Sequence, residues 1–191
     1  MSSSDQDRDA LIDAASLLGS VGGTASVAAL RQLLAASVDP EVRQVAALSI
    51  GVVGGEDAVH ALTDALHVES CAATRARLVD ALAYPGLQEA TGVLRSVLRD
   101  TSEAPSVRGV AAESLGRLGS PEALDDLLAA LSDPEPEIRF FAAYALGLLG
   151  SRDALDALSR VAGEDEASLA GFGSVADEAR EAIEAITSDK A

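Results

Sequence analysis

Apolar residues recur along this chain at three- and four-residue steps, and the stripes they form come in pairs. Positions 11, 14, 15, 18 and 21 follow helical spacing, as do Val27, Leu30, Leu33 and Leu34. The same reading predicts helices over 9–21, 25–36, 42–53, 57–68, 74–84, 88–98 and 106–118. Another opens at Ser120, Pro121 and Glu122, one runs from Asp133 to Leu149, and two more cover 151–162 and 175–187, about eleven in all. Gly22 and Gly23, Gly54 and Gly55, and Pro85 and Gly86 are the predicted stops, because glycine enters the left-handed region without a Cβ clash. Thr24 and Ser120 are candidate N-caps, and Pro40 stands where a first-turn proline is tolerated. Residues 1–8 are polar and expected to fray, 163–174 read as a long loop, and 188–191 as a tail.

The pairs repeat. Residues 139–150 read Arg-Phe-Phe-Ala-Ala-Tyr-Ala-Leu-Gly-Leu-Leu-Gly, and close copies begin at Arg43 and Arg108, with weaker ones at Leu11 and Arg75. Gly19, Gly51, Ala83, Gly116 and Gly147 align at steps of 32, 32, 33 and 31 residues, and the last helix aligns after a step of 40. A period of this size means that each unit buries its apolar face only against its neighbours. The expected organisation is one repeat domain over 9–187, with units 9–22, 23–54, 55–86, 87–119, 120–150 and 151–187.

Asp-Pro-x-x-x-Arg before Ala-Ala-x-x-Leu-Gly-x-x-Gly resembles HEAT repeats, in particular the short phycobilin-lyase-like type, over more than nine tenths of the chain. The resemblance implies an all-α fold, a right-handed α-α superhelix or HEAT-like solenoid. The alanine pairs and penultimate glycines are expected to bring helices close, at a helix cost of about 1 kcal/mol per glycine relative to alanine. Arg43, Arg75, Arg108 and Arg139 fall one per repeat. In the family such arginines form a ladder with an acid six residues earlier. Glu69 and Asp133 match that spacing, whereas Ser37 and Ser102 stand in the other two places. The four arginines are therefore expected to be structural, with a functional row as the alternative.

Composition narrows the function. Thirty-one acidic residues against 14 basic ones leave a net charge of −17, which opposes nucleic acid and anionic membranes. The acidity fits either solubility of exposed helices or adaptation to a salty cytoplasm; melting in dilute buffer and in molar KCl separates them. One cysteine, Cys71, excludes an intramolecular disulfide and fits a reducing compartment, so a cytoplasmic location is expected. No basic-then-apolar leader opens the chain, and no run of eighteen apolar residues suggests a membrane span.

A search for chemistry returns little. His60 and His67 share a helix face, with Cys71 four residues on, but no zinc-type spacing is present. Deoxyhypusine hydroxylases, which use HEAT-like repeats, hold iron on His-Glu pairs; here His60 precedes Ala61 and His67 precedes Val68. No metal, cofactor or catalytic set is expected. Acid runs such as Asp125 and Asp126, or Glu164, Asp165 and Glu166, read as solvated faces.

In HEAT-like arrays the second helix of each pair lines the concave face. Two exposed positions per helix give Ile12/Ser16, Gln44/Leu48, Ala76/Asp80, Gly109/Glu113 and Phe140/Tyr144. Phe140 and Tyr144 supply two of five aromatic residues, and aromatics in a groove are preferred partner anchors. They stand either as an exposed anchor pair or packed beneath the 163–174 loop against Phe172, with Arg77, Asp80, Glu113 and Arg117 supplying charge selectivity. The expectation is a monomeric, non-enzymatic scaffold for a protein or peptide, with an enzyme accessory or phycobilin-lyase-like role as the alternative.

Overall fold

A computed structural model of the protein describes residues 3–84 and 87–188. Among them are eleven α-helices and a single two-stranded hairpin, so the all-α class holds. The chain forms two compact units, Met1–Ala90 and Thr91–Ala191. The division falls between a 3₁₀ turn, Gln88–Ala90, and the helix beginning at Thr91. The repeat steps run through this point unchanged, which is why the period alone carries no sign of it.

The first unit contains α1 (Ser3–Val21), α2 (Thr24–Ala36), α3 (Pro40–Val53), α4 (Glu56–Val68) and α5 (Ala72–Ala81). α1, α3 and α5 pack in sequence as one layer, and α2 and α4 form the other. α3 shows why these segments are helical. The Asp39 carboxylate accepts from the Glu41 and Val42 amides at 2.8 and 3.4 Å, Pro40 occupies the first turn, and Gly54 ends the helix. Between these signals Val42, Ala46, Ala47 and Ile50 are fully buried. A branched side chain such as Ile50 contributes about 1.5–3 kcal/mol on burial.

The second unit repeats the plan. α7 (Pro105–Leu118), α9 (Pro136–Leu149) and α11 (Val175–Ser188) form one layer, and α6 (Thr91–Arg99), α8 (Leu124–Ala130) and α10 (Leu155–Glu164) the other. α7 and α9 end on Gly119 and Gly150 in the left-handed conformation, with φ of 63° and 68°.

Several local expectations are corrected. Residues 3–8 are helical where fraying was expected: Asp5 favours the positive end of α1, and Arg8 reaches Glu41 on α3 at 3.5 Å. Thr24 lies inside α2, whose cap is Gly23, and Ser120 makes no capping bond. The 163–174 loop is largely ordered. α10 extends through Glu164, and strands β1 (Ser168–Leu169) and β2 (Gly173–Ser174) pair antiparallel. Their turn needs a positive φ at its third residue, which Gly171 supplies at 85°, and the Phe172 amide donates to the Leu169 carbonyl at 3.1 Å. The predicted stop at Pro85 and Gly86 and the end of the tail, 189–191, lie outside the described residues.

The penultimate glycines are where successive helices of one layer meet. A Cβ on Gly19 would come within 3.0 Å of Ser49 Cβ, and one on Gly51 within 2.7 Å of the Ala81 carbonyl oxygen. The equivalent Cβ on Gly116 would sit 2.6 Å from Ala145 Cα, and on Gly147 3.0 Å from Ala182 Cα. Ser49, Ala81 and Ala145 each stand two residues before their own repeat's aligned position (51, 83 and 147). By that rule Ala182 places Glu184 in the last repeat, so the final step is 37 residues and not 40. The hairpin absorbs the insertion.

Gly116→Ala is expected to cost about 1–3 kcal/mol through overpacking, although alanine is the better helix former. Gly92, with open space around it in α6, serves as the internal control. Gly92→Ala should gain about 0.5–1 kcal/mol. Denaturant titration of both variants checks the pair; a neutral Gly116→Ala would mean that the contact is loose.

Candidate binding face

The repeated arginines open α3, α5, α7 and α9, and their guanidinium groups tie each helix start to its neighbours. Arg43 forks onto Glu69 at 2.7 and 3.1 Å, Arg108 meets Asp133 at 2.6 Å, and Arg139 forks onto Asp165 at 2.6 and 3.2 Å. The expected pairing with the acid six residues earlier is therefore corrected. Arg43 and Arg139 take the backbone carbonyl at that place and the carboxylate of the following repeat, whereas Arg108 reaches the following repeat's carboxylate but donates to the Leu98 carbonyl. Arg75 donates to the Glu69 carbonyl at 2.7 Å, and Arg139 to the Asp133 carbonyl at 2.9 Å. This explains why Ser37 suffices beside Arg43, since only its carbonyl is used, at 3.2 Å.

The acid runs also change meaning. Asp126 is a half-buried hub that accepts from Arg95 at 2.5 Å and from Arg99 at 2.5 and 2.7 Å. Asp165 closes the last rung and accepts from the Ala167 amide at 2.9 Å, fixing the root of the hairpin. Arg139 and the Ala167 amide hold the Asp165 carboxyl below its ordinary range against the opposing effect of burial. Burial alone would raise Glu69 and Asp126, but their arginine partners outweigh it, and both titrate lower than usual.

The hairpin carries Phe172 onto α9. Phe140, Phe141 and Phe172 form a triangle of edge-to-face rings, with centroids 5.5–5.8 Å apart. Phe140 is only 6% exposed, so it belongs to the packing beneath Phe172 and not to an open face. The first position of the outward stripe was read one residue too early. On α9 it runs through Phe141, half-buried, Tyr144, 36% exposed, and Leu148, 48% exposed. These positions lie six and three residues before the aligned glycine and one after it, the spacing a 3.6-residue period requires.

The same frame places Val110, Glu113 and Arg117 on α7, and Glu178, Glu181 and Ala185 on α11. Gly109 leaves room for the Phe141 ring, which a Cβ there would meet at 2.9 Å. Glu113 and Arg117 form an i,i+4 pair at 3.6 Å. Burial and then the nearby Glu181 push the Glu178 carboxyl upward. Sequence reasoning missed Phe141, Leu148, Phe172 and Glu178 as members of this face, because the first position of the stripe and the last repeat step were both displaced. Arg77 and Asp80 lie in the first unit, where they pair at 3.4 Å on α5.

Two open clefts, of about 490 and 440 Å³, lie elsewhere, beside the Arg139–Asp165 and Arg43–Glu69 rungs. They occupy the same place in their repeats, 96 residues apart by either rung residue, and so follow from the repeat geometry. His60 and His67 are exposed on α4, and the described residues hold no group of three metal-ligating side chains.

Helix pairs in two layers, joined by glycine contacts and arginine rungs, define an α-helical repeat protein. The description HEAT repeats matches residues 2–83, 65–127 and 101–171, and the chain belongs to this family. Over 82 residues it is 34% identical to a deoxyhypusine hydroxylase of Danio rerio, covering 43% of this chain and 27% of the relative. The structure of human deoxyhypusine hydroxylase in complex with glycerol aligns with 78% of this chain and 49% of its own, at a TM-score of 0.56 and 31% identity. The chain thus spans half or less of the length of the hydroxylases it matches. An engineered protein aligns over 98% of this chain and 92% of its own, at a TM-score of 0.51 and 22% identity, a likeness of fold. No helix among the described residues is long and apolar enough to cross a membrane.

Rung carboxylates with depressed folded pKa values stabilise the fold above the unfolded carboxylate range, near pH 4, and lose that contribution as pH falls through their folded values. Asp165→Asn is accordingly expected to cost about 1–3 kcal/mol at neutral pH. The cost should shrink as the pH falls below the ordinary aspartate range and through the lowered folded value of Asp165. Thermal melts of both proteins across that range measure it; a cost independent of pH would remove the charge from the explanation.

Proposed function

We propose that this protein is a non-enzymatic cytoplasmic adaptor that binds a protein or peptide on the α7–α9–α11 face of its second unit. One observation carries the reading: Phe141, Tyr144, Leu148 and Phe172 present apolar surface at positions that the repeat does not need for packing. The glycine and arginine columns elsewhere on these helices have identified structural tasks, as close contacts and as rungs. Exposed aromatic surface flanked by charge is the usual anchor of a protein interface. HEAT-type arrays offer such faces because every second helix contributes side chains to one side. The single cysteine supports a reducing compartment.

The likeness to deoxyhypusine hydroxylases is read here as shared repeat architecture. His60 and His67 are followed by Ala61 and Val68, where the resemblance calls for glutamate beside each iron-binding histidine.

Tyr144→Ala combined with Leu148→Ala should leave helicity unchanged and reduce recovery of a stoichiometric partner by about tenfold or more. Affinity capture from the native cell, read by mass spectrometry against wild type, makes the comparison. Undiminished recovery would place the binding surface elsewhere. An absorbance band from a bound pigment or cofactor in the purified protein would favour the enzyme-accessory role.

A further inference from the structure

The chemistry of the binding face restricts what can occupy it. At its centre Tyr144 is flanked, in the repeat register, by Glu113 on α7 and Glu181 on α11. One turn earlier Phe141 has Glu178 at the corresponding place on α11, and Glu137 precedes it by four residues on α9. Arg117 is the cation of this stripe, and it already engages Glu113. The surface is therefore an aromatic and aliphatic strip with Glu178 and Glu181 along its α11 side and the arginine-paired Glu113 on its α7 side. Its edge carries Phe172, 61% exposed, at the tip of a hairpin anchored by Asp165.

Charge complementarity selects one class of occupant. An acidic or neutral segment laid along Tyr144 would desolvate Glu178 and Glu181 without compensation, and burial already disfavours the charge on Glu178. A lysine or arginine side chain answers both features at once. Its methylene stem covers the ring, its cation lies over the negative π face, and its N–H groups reach the flanking carboxylates. We infer that the face formed by Tyr144, Phe141, Glu113, Glu178 and Glu181 takes a cationic peptide segment, in which lysine or arginine side chains alternate with apolar ones. This deepens the proposed function and rests on it, naming the chemistry of the partner at the same site.

The test uses the full chain and two fluorescein-labelled peptides, one alternating Lys with Leu and one alternating Glu with Leu, followed by fluorescence anisotropy. Because any protein of net charge −17 attracts cations, two variants that remove the same charge are compared. Glu178→Gln with Glu181→Gln alters the face, while Glu56→Gln with Asp57→Asn alters exposed acids at the start of α4. The inference predicts binding of the Lys-Leu peptide alone, weakened about five- to tenfold by the first pair and less than about twofold by the second. Tyr144→Ala should weaken it as well, since stacking and charge act together. Equal losses from the two charge-removing pairs, or equal binding of the Glu-Leu peptide, would overturn the inference. If Tyr144→Ala and Leu148→Ala abolish capture of the cellular partner while the Gln pair does not, the face binds but its occupant is not cationic. If neither pair alters capture, the functional reading itself is wrong.

Discussion

Everything in these two units depends on how closely one helix of a layer approaches the next. At Gly116 the separation from α9 is so small that a single added carbon would overlap Ala145, and Gly51 faces the Ala81 carbonyl under the same constraint. Such contacts set the rise per repeat and allow alanine, leucine and valine to fill a core with almost no aromatic volume. They also fix the rotation of each helix about its own axis. Once the glycine points at its neighbour, positions six and three before it and one after it must face outward. The binding face is thus a geometric consequence of a packing contact on another side of the same helix.

Much of this was legible in the residues. Gly19, Gly51, Ala83, Gly116 and Gly147 recur at near-constant steps, so the helix pairs and their C-terminal stops could be read directly. What escaped is instructive in physical terms. A displacement of one residue rotates a helical position by about 100°, enough to exchange Phe140, which is buried, for Phe141, which borders the face. The arginine rungs join neighbouring repeats, and a spacing rule within one repeat names the right residues with the wrong partners. Asp165 and Asp126 looked like surface acids because nothing local shows the guanidinium that meets them.

The rung and the face are connected through the hairpin. Arg139 at the start of α9 holds Asp165, Asp165 fixes the Ala167 amide, and the hairpin then lays Phe172 over Phe140 and Phe141. A structural column of the repeat therefore positions one wall of the aromatic surface. The 37-residue final step, longer than the other repeats, is spent on this hairpin and supplies the features that distinguish the last repeat from its predecessors.

The central claim is that function resides on the outward stripe of α7, α9 and α11, while the glycine and arginine columns only build it. Hydrogen-exchange mass spectrometry of the protein alone and with its co-purified partner tests this most directly. The account predicts new protection confined to the 137–148 segment of α9, the 168–174 hairpin and the facing turns of α7 and α11. Protection concentrated instead on α8 and α10, beside the rung clefts, would contradict it.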